Sequence, residues 1–145
     1  MKKTVLFLLV SLFTISFASA KDVVTTDMQR LPQPAREFIK QYFPSEQISY
    51  IKIDEEIMTT HYEVIFVSGA EIEFNKEGVW KEIDANRMEV PAAIIPAPIA
   101  SYLKQNFPNT SVIKIEKKRY LYEVKLSNRL ELEFDKDGNF VRIDD

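Results

Sequence analysis

The chain has no cysteine, one histidine, one tryptophan and three glycines in 145 residues. Without cysteine there can be no disulfide, no thiolate metal site, no cysteine nucleophile and no lipid attachment behind an export signal. The single ring of His61 cannot build a multi-histidine metal centre, and any histidine-based acid–base pair would rest on it alone. Beside Tyr62 it is expected as a half-exposed residue at a strand entrance. Gly69, Gly78 and Gly138 all fall at expected turns, so no phosphate-cradling loop, nucleotide fingerprint or nucleophile elbow exists. The longest apolar run, Val5 to Phe17, is 13 residues, short of the roughly 20 needed to span a bilayer.

That run is best explained as an address. Lys2 and Lys3 precede it and Ala18-Ser19-Ala20 follows as a small-x-small cleavage triplet, so residues 1–20 are expected to be a signal peptide cut after Ala20. Export with no cysteine fits a bacterial periplasm or the cell exterior, with no membrane attachment after cleavage. Losing two lysines and no acid moves the net charge from −3 to −5 and leaves 125 residues. So acidic a chain is not expected to bind nucleic acid. Asn109-Thr110-Ser111 matches a glycosylation sequon but is expected to be a turn after a helix.

What the chain does have is a duplication. Leu31-Pro32 opens a stretch that continues through Phe43-Pro44, Tyr62-Glu63-Val64 and Glu71-Ile72-Glu73-Phe74 to Gly78, Trp80 and Ile83-Asp84. Ile95-Pro96 opens a second, through Phe107-Pro108, Tyr122-Glu123-Val124 and Glu131-Leu132-Glu133-Phe134 to Gly138, Phe140 and Ile143-Asp144. The offset is 64 residues at the start and 60 at the end, so the second copy lacks four residues between its helix and its Tyr-Glu-Val strand. Two copies of one structural unit are implied.

Each copy begins with a helical period and changes to a strand period. Ala35, Phe38, Ile39, Tyr42 and Phe43, and again Ile99, Tyr102, Leu103 and Phe107, fall on one helical face. Pro34 and Pro98 suit a first helical turn, and Pro44 and Pro108 stop the helix. Alternating residues then give four strands per copy, with hairpin turns at Ser68-Gly69, at Asn128, at Gly78 and at Gly138. The expected fold is α+β: two tandem repeats, each one helix packed on a four-stranded antiparallel sheet, with the continuity of the two sheets left open. The expected organisation is a loose N-terminal arm over 21–30, repeat 1 over 31–84, a linker over 85–94 and repeat 2 over 95–145. The linker carries Val90-Pro91-Ala92-Ala93-Ile94, too apolar for a free tether, so the repeats are expected to pack together.

The doubled pattern of proline, aromatic helix, Phe-Pro, Tyr-Glu-Val, Glu-Ile/Leu-Glu-Phe, acidic turn and Ile-Asp resembles the PepSY-like periplasmic proteins of Bacteroides-type bacteria, related in fold to beta-lactamase inhibitor protein. The resemblance covers nearly all of the chain after residue 20. It implies a secreted tandem module without catalysis that binds or inhibits other proteins, and it carries no catalytic residue to transfer.

Candidate contacts follow from the places where charge concentrates. Equivalent hairpin tips carry opposite charge, Asp54, Glu55 and Glu56 in one copy and Lys117, Lys118, Arg119 and Tyr120 in the other. Such tips and the exposed sheet face are expected to meet an extracytoplasmic protein or peptide, because charge pattern sets specificity. Ile65 and Val67 replace the polar Lys125 and Ser127 of the second copy. They are expected to form the seam between copies, with a homodimer contact or a ligand surface as alternatives. No cofactor is required, and the alternative function is calcium binding. Asn75 and Glu77 in one turn, and Glu133, Asp135 and Asp137 in the other, place oxygen ligands at alternate positions before a glycine. An ordinary hairpin turn explains the same residues through side-chain caps and a positive-φ glycine.

Overall fold

The computed structural model describes residues 21–144, so the expected signal peptide and its cleavage point lie outside the described residues. Strand β1 (Lys21–Thr25) is followed by a single 3-10 turn and helix α1 (Gln33–Tyr42), then β2 (Ile48–Glu55), β3 (Thr60–Phe66), β4 (Glu71–Phe74) and β5 (Trp80–Asp84). After a second 3-10 turn come α2 (Ala97–Asn106), β6 (Val112–Lys117), β7 (Leu121–Leu126), β8 (Glu131–Asp135) and β9 (Phe140–Asp144).

The expectation of two repeats, each a helix on a four-stranded sheet, is overturned. The nine strands of the described residues form one antiparallel sheet in the order β1 to β9, and among those residues two α-helices accompany it. Two pairings that no short-range pattern announces are responsible. The copies are joined where β5 meets β6, with Glu82 opposite Glu116, Ile83 opposite Ile115 and Asp84 opposite Lys114. The linker extends this seam, since the Ala85 and Val90 amides donate to the Ile113 and Val112 carbonyls, each at 2.8 Å. The segment expected as a loose arm supplies β1, which pairs with β2 from Lys21 opposite Glu55 to Thr25 opposite Ile51. A sheet that ended at β2 would leave its N–H and C=O groups unpaired, and β1 satisfies them.

Register explains where the core sits. Ile51, Val64, Ile72, Ile83, Ile115, Val124 and Leu132 face one another in a single row across β2 to β8. All seven are essentially removed from solvent. Ala35 and Ile39 of α1 and Ile99 and Leu103 of α2 belong to the same apolar cluster, so both helices lie on one side of the sheet. Rings anchor each helix there: Phe38 meets Phe74 edge-on, Phe43 stacks on Phe66, and Tyr102 stacks on Phe140 with centroids 4.7 Å apart. Neighbouring residues on a strand point to opposite faces, so the other face of the sheet carries the residues one step along from this row. Among the described residues no helix covers that face.

The turns repeat with one substitution. Gly69 takes φ +87°, but its counterpart in the second copy is Arg129 at φ +73°, one residue beyond the expected Asn128. Asn128 instead accepts the Leu130 amide through Oδ1. The four-residue difference between copies falls at the hairpin tips, β2–β3 being the longer.

Candidate functional site

The uncovered face has a feature that appears only when the strands are placed side by side. One step from the apolar row, Glu63, Glu73, Glu82, Glu116, Glu123 and Glu133 stand directly opposite one another across β3 to β8. Lys52 faces Glu63 at one end and Arg142 faces Glu133 at the other. Six carboxylates in register, at the usual 4.7–4.9 Å between strands, make a ladder about 24 Å long. Like charges directly opposite each other destabilise a sheet, by roughly 0.2–1 kcal/mol per pair.

Local cations offset part of this repulsion. Lys114 Nζ is 2.7 Å from Glu82 and Lys52 Nζ is 3.7 Å from Glu63. Lys118 bridges Glu116 and Glu123. Glu133 is the one buried charged residue among those described, and it accepts two hydrogen bonds from the Arg142 guanidinium, at 2.8 Å each. Those bonds hold its carboxyl below the usual range. Glu73 has only His61, whose Nδ1 stands 3.4 Å away without a hydrogen bond. Glu116 is raised, first by burial and then, against the pull of Lys118, by Glu82 and Glu123. Glu71, in the neighbouring row, is raised by burial and then by Glu63, Asp84 and Glu82.

The face is shaped as well as charged. A depression of about 340 Å³ lies over the seam, lined by Asp84, Lys114, Glu116, Glu123, Lys125 and Glu131 among others. A second, of about 330 Å³, lies over the first copy between Lys52, Asp54, His61, Glu63 and Glu73. Ile65 does not form the seam, which lies two strands away. It pairs with Tyr50 and Glu71 on the uncovered face and is buried there, while Val67 is 66% exposed. An apolar Tyr50–Ile65 pair therefore flanks the acidic ladder.

The hairpin tips and the acidic turns come together at one end of the sheet. In an antiparallel meander the β2–β3, β4–β5, β6–β7 and β8–β9 connections all emerge on the same side. Asp54 lies within β2 opposite His61, and the Glu56 amide closes its tip on the Thr59 carbonyl, leaving Ile57 and Met58 fully in solvent. In the other tip Lys117 lies 6.0 Å over the Trp80 ring and Arg119 lies 5.0 Å over Tyr120. Lys118, expected to be free for a partner, is engaged with the ladder.

The turn oxygens proposed for calcium are occupied by their own turns. Asp135 Oδ1 accepts the Asp137 and Asn139 amides at 2.9 Å, and Oδ2 accepts Asn139 Nδ2 at 3.0 Å. Asn75 Oδ1 likewise accepts the Glu77 and Val79 amides. Glu77 and Asp137 sit beside Lys76 and Lys136, and Glu133 is held by Arg142. Among the described residues no three acidic or histidine side chains converge as metal ligands. Gly78 and Gly138, at φ +80° and +85°, fit these turns against the helix starts, where a Cβ would come within 2.9 Å of Pro32 or Pro98.

The ladder is the feature that residue patterns do not disclose. Alternation of Glu71/Glu73 and Glu131/Glu133 with core residues shows a solvated face, but the joining of three glutamates from each copy into one row of six depends on the β5–β6 pairing.

Comparison with known proteins gives a consistent result. No curated protein matches the chain. It is similar to a solved structure described as a "putative calcium-regulated periplasmic protein" from Bacteroides thetaiotaomicron, at 43% identity, with 86% of this chain and 97% of that one covered and a TM-score of 0.81. It is also similar to a "putative periplasmic protein of unknown function" from Bacteroides vulgatus, at 42% identity, with 86% and 100% covered and a TM-score of 0.82. The profile of a family described as "Putative beta-lactamase-inhibitor-like, PepSY-like" matches over residues 19–64 and 60–142. That match spans both copies, and the chain belongs to the PepSY-like family.

Proposed function

We propose that the chain is an exported, non-enzymatic binding module that takes a basic segment of another extracytoplasmic protein or peptide onto its uncovered sheet face. The observation that carries this reading is the glutamate ladder. Five directly opposed carboxylate pairs raise the energy of the folded sheet, and a cationic partner laid across them would relieve it. The depressions on the face, the Tyr50–Ile65 pair and the tips at one end supply shape and apolar contact around the charge. The inhibitor-like description of the family and the periplasmic description of the similar structures support both the class of function and the compartment. The test is affinity capture from a periplasmic extract, wild type against Glu82→Gln with Glu116→Gln and Glu123→Gln. A specific basic partner should be retained by the wild type, lost from the triple variant and released by salt. A partner held equally by both forms defeats the reading.

Calcium regulation is a second reading, favoured by the description of one similar structure. With the turn oxygens engaged in capping, a divalent ion would act here by bridging neighbouring carboxylates of the ladder. Melting with and without millimolar calcium tests it: a rise absent with magnesium and lost in the triple variant supports it, and no rise removes it.

A further inference from the structure

Strands β1, β5 and β9 hold equivalent positions. β1 lies against β2, and β5 lies against β6, where β2 and β6 are the same strand of the two copies. Among the described residues β9 has no such strand to lie against, and its far side is one of the two open edges of the sheet, the other being that of β1. The consequence shows in one pair of equivalent residues: Ile83 of β5 is 0% exposed and Ile143 of β9 is 42% exposed. The backbone is prepared in the same way. The Ala85 amide donates to Ile113 across the seam, and residues two apart on a strand direct their N–H and C=O to the same side. Ile83 therefore presents its groups to β6. By the equivalence of the copies, Ile143 presents its groups outward from the sheet edge.

We propose that this edge is the contact of a symmetric homodimer, in which β9 of a second copy pairs antiparallel with β9 about Ile143. Head-to-tail growth would lay β9 against the open edge of β1 in the next copy, and because the two strands run in the same direction, keeping the helices on one side would make that pair parallel, the weaker pairing. A closed twofold contact of β9 with itself instead continues the antiparallel pattern of the whole sheet. Twofold antiparallel pairing sets one residue against itself, and the neighbouring charges choose which. Centring on Arg142 opposes two guanidinium groups, centring on Asp144 opposes two carboxylates, and Val141 lies in the register shift of the β8–β9 ladder. Centring on Ile143 buries two isoleucines against each other on the helix side. On the uncovered side it sets each Arg142 against the second copy's Asp144. The internal seam is built in the same way, with Ile83 opposite Ile115 and Asp84 opposite Lys114. Helices and acidic ladders of both copies would then lie on matching sides of one continuous sheet.

A contact of one short strand pair falls below the roughly 1,200 Å² of a stable interface, so the dimer is expected to be weak, with a Kd of about 0.1–1 mM. Sedimentation of the exported protein up to about 1 mM tests it. The mass should rise towards two copies with concentration. Ile143→Pro, which removes the outward N–H, should hold it at one copy, with circular dichroism and melting to check that the variant folds. Asp144→Arg should weaken association at least about tenfold, while Asp22→Arg, the same charge change at the opposite edge, should leave it unchanged. One-copy mass at every concentration overturns the proposal. So does a dimer that survives both Ile143→Pro and Asp144→Arg, or one that Asp22→Arg weakens equally. If Ile143→Pro does not fold, the pair Asp144→Arg and Asp22→Arg decides.

Discussion

Replacing Glu116 by glutamine should make the protein more stable, although it breaks an ion pair. Glu116 stands at the middle of the ladder with Glu82 on one neighbouring strand and Glu123 on the other. Glutamine keeps the shape and removes the charge. Each like-charged contact is worth roughly 0.2–1 kcal/mol, and because the half-buried side chain is still 31% exposed, solvent screens it into the lower half of that range. Against this stands the contact to Lys118 at 3.8 Å, which is long and shared with Glu123. Such a pair contributes at most a few tenths of a kcal/mol. The balance is a gain of about 0.5 kcal/mol, or roughly 2 °C in Tm for a domain of this size. The share of the gain that comes from repulsion should be lost near 1 M salt, where the screening length falls to about 3 Å, while the share that comes from burial of the charge should remain. Thermal melting of wild type and Glu116→Gln at low and high salt reads both effects. The same variant should bind a basic partner less tightly, so stability and binding move in opposite directions. A loss of stability at low salt, or a gain undiminished at 1 M, would refute the claim that the ladder is a strained row of like charges.

Ile83→Ala and Ile143→Ala delete the same atoms from equivalent strands, yet the first should cost about 3 kcal/mol and the second about 1 kcal/mol or less, because only Ile83 is sealed by a neighbouring strand. Urea unfolding measures both, and equal costs would contradict the seam. Stability should also peak in weakly acidic solution. Glu71 and Glu116 have raised folded pKa values, so their contribution is complete below the usual 4.5 and is lost as pH climbs through the raised values. Glu131, Glu133 and Asp135 are lowered by Lys125, Arg142 and Asn139, so theirs is present above 4.5, 4.5 and 3.8 and is lost as pH falls through the folded values. Melting across this range should give a maximum a little above pH 4.5, and a Tm that rises steadily to neutrality would count against the raised pair.

Local chemistry was legible to within a residue or two. Proline punctuation placed both helices, since Pro34 and Pro98 fall in the first turn and Phe43-Pro44 and Phe107-Pro108 end them. The glycines at 69, 78 and 138 mark positive-φ turns, as expected of residues without a Cβ. Two local expectations missed. Arg129 rather than Asn128 takes the left-handed position, because the repeat geometry set by Gly69 overrides the preference of the side chain. Ile65 lies on the uncovered face and not at the seam, because an apolar residue on a strand says that something covers it without saying what.

By itself, the sequence determined the duplication, the helix and strand periods, the turn chemistry, the absence of any thiol or multi-histidine chemistry, and the family. All of these rest on residues close together in the chain, where sterics and hydrogen bonding act over a few positions. Tertiary structure decided that β1 and β5 close on β2 and β6, turning two expected units into one sheet. It thereby decided that six glutamates from six strands share one row, that the calcium-like turns spend their oxygens on their own backbone, and that β9 is left open. Those outcomes depend on strand pairing across the linker and along the sheet edge. That pairing is set by the burial of Ile83 against Ile115 and by backbone groups seeking partners, and neither leaves a periodic mark in the amino-acid order.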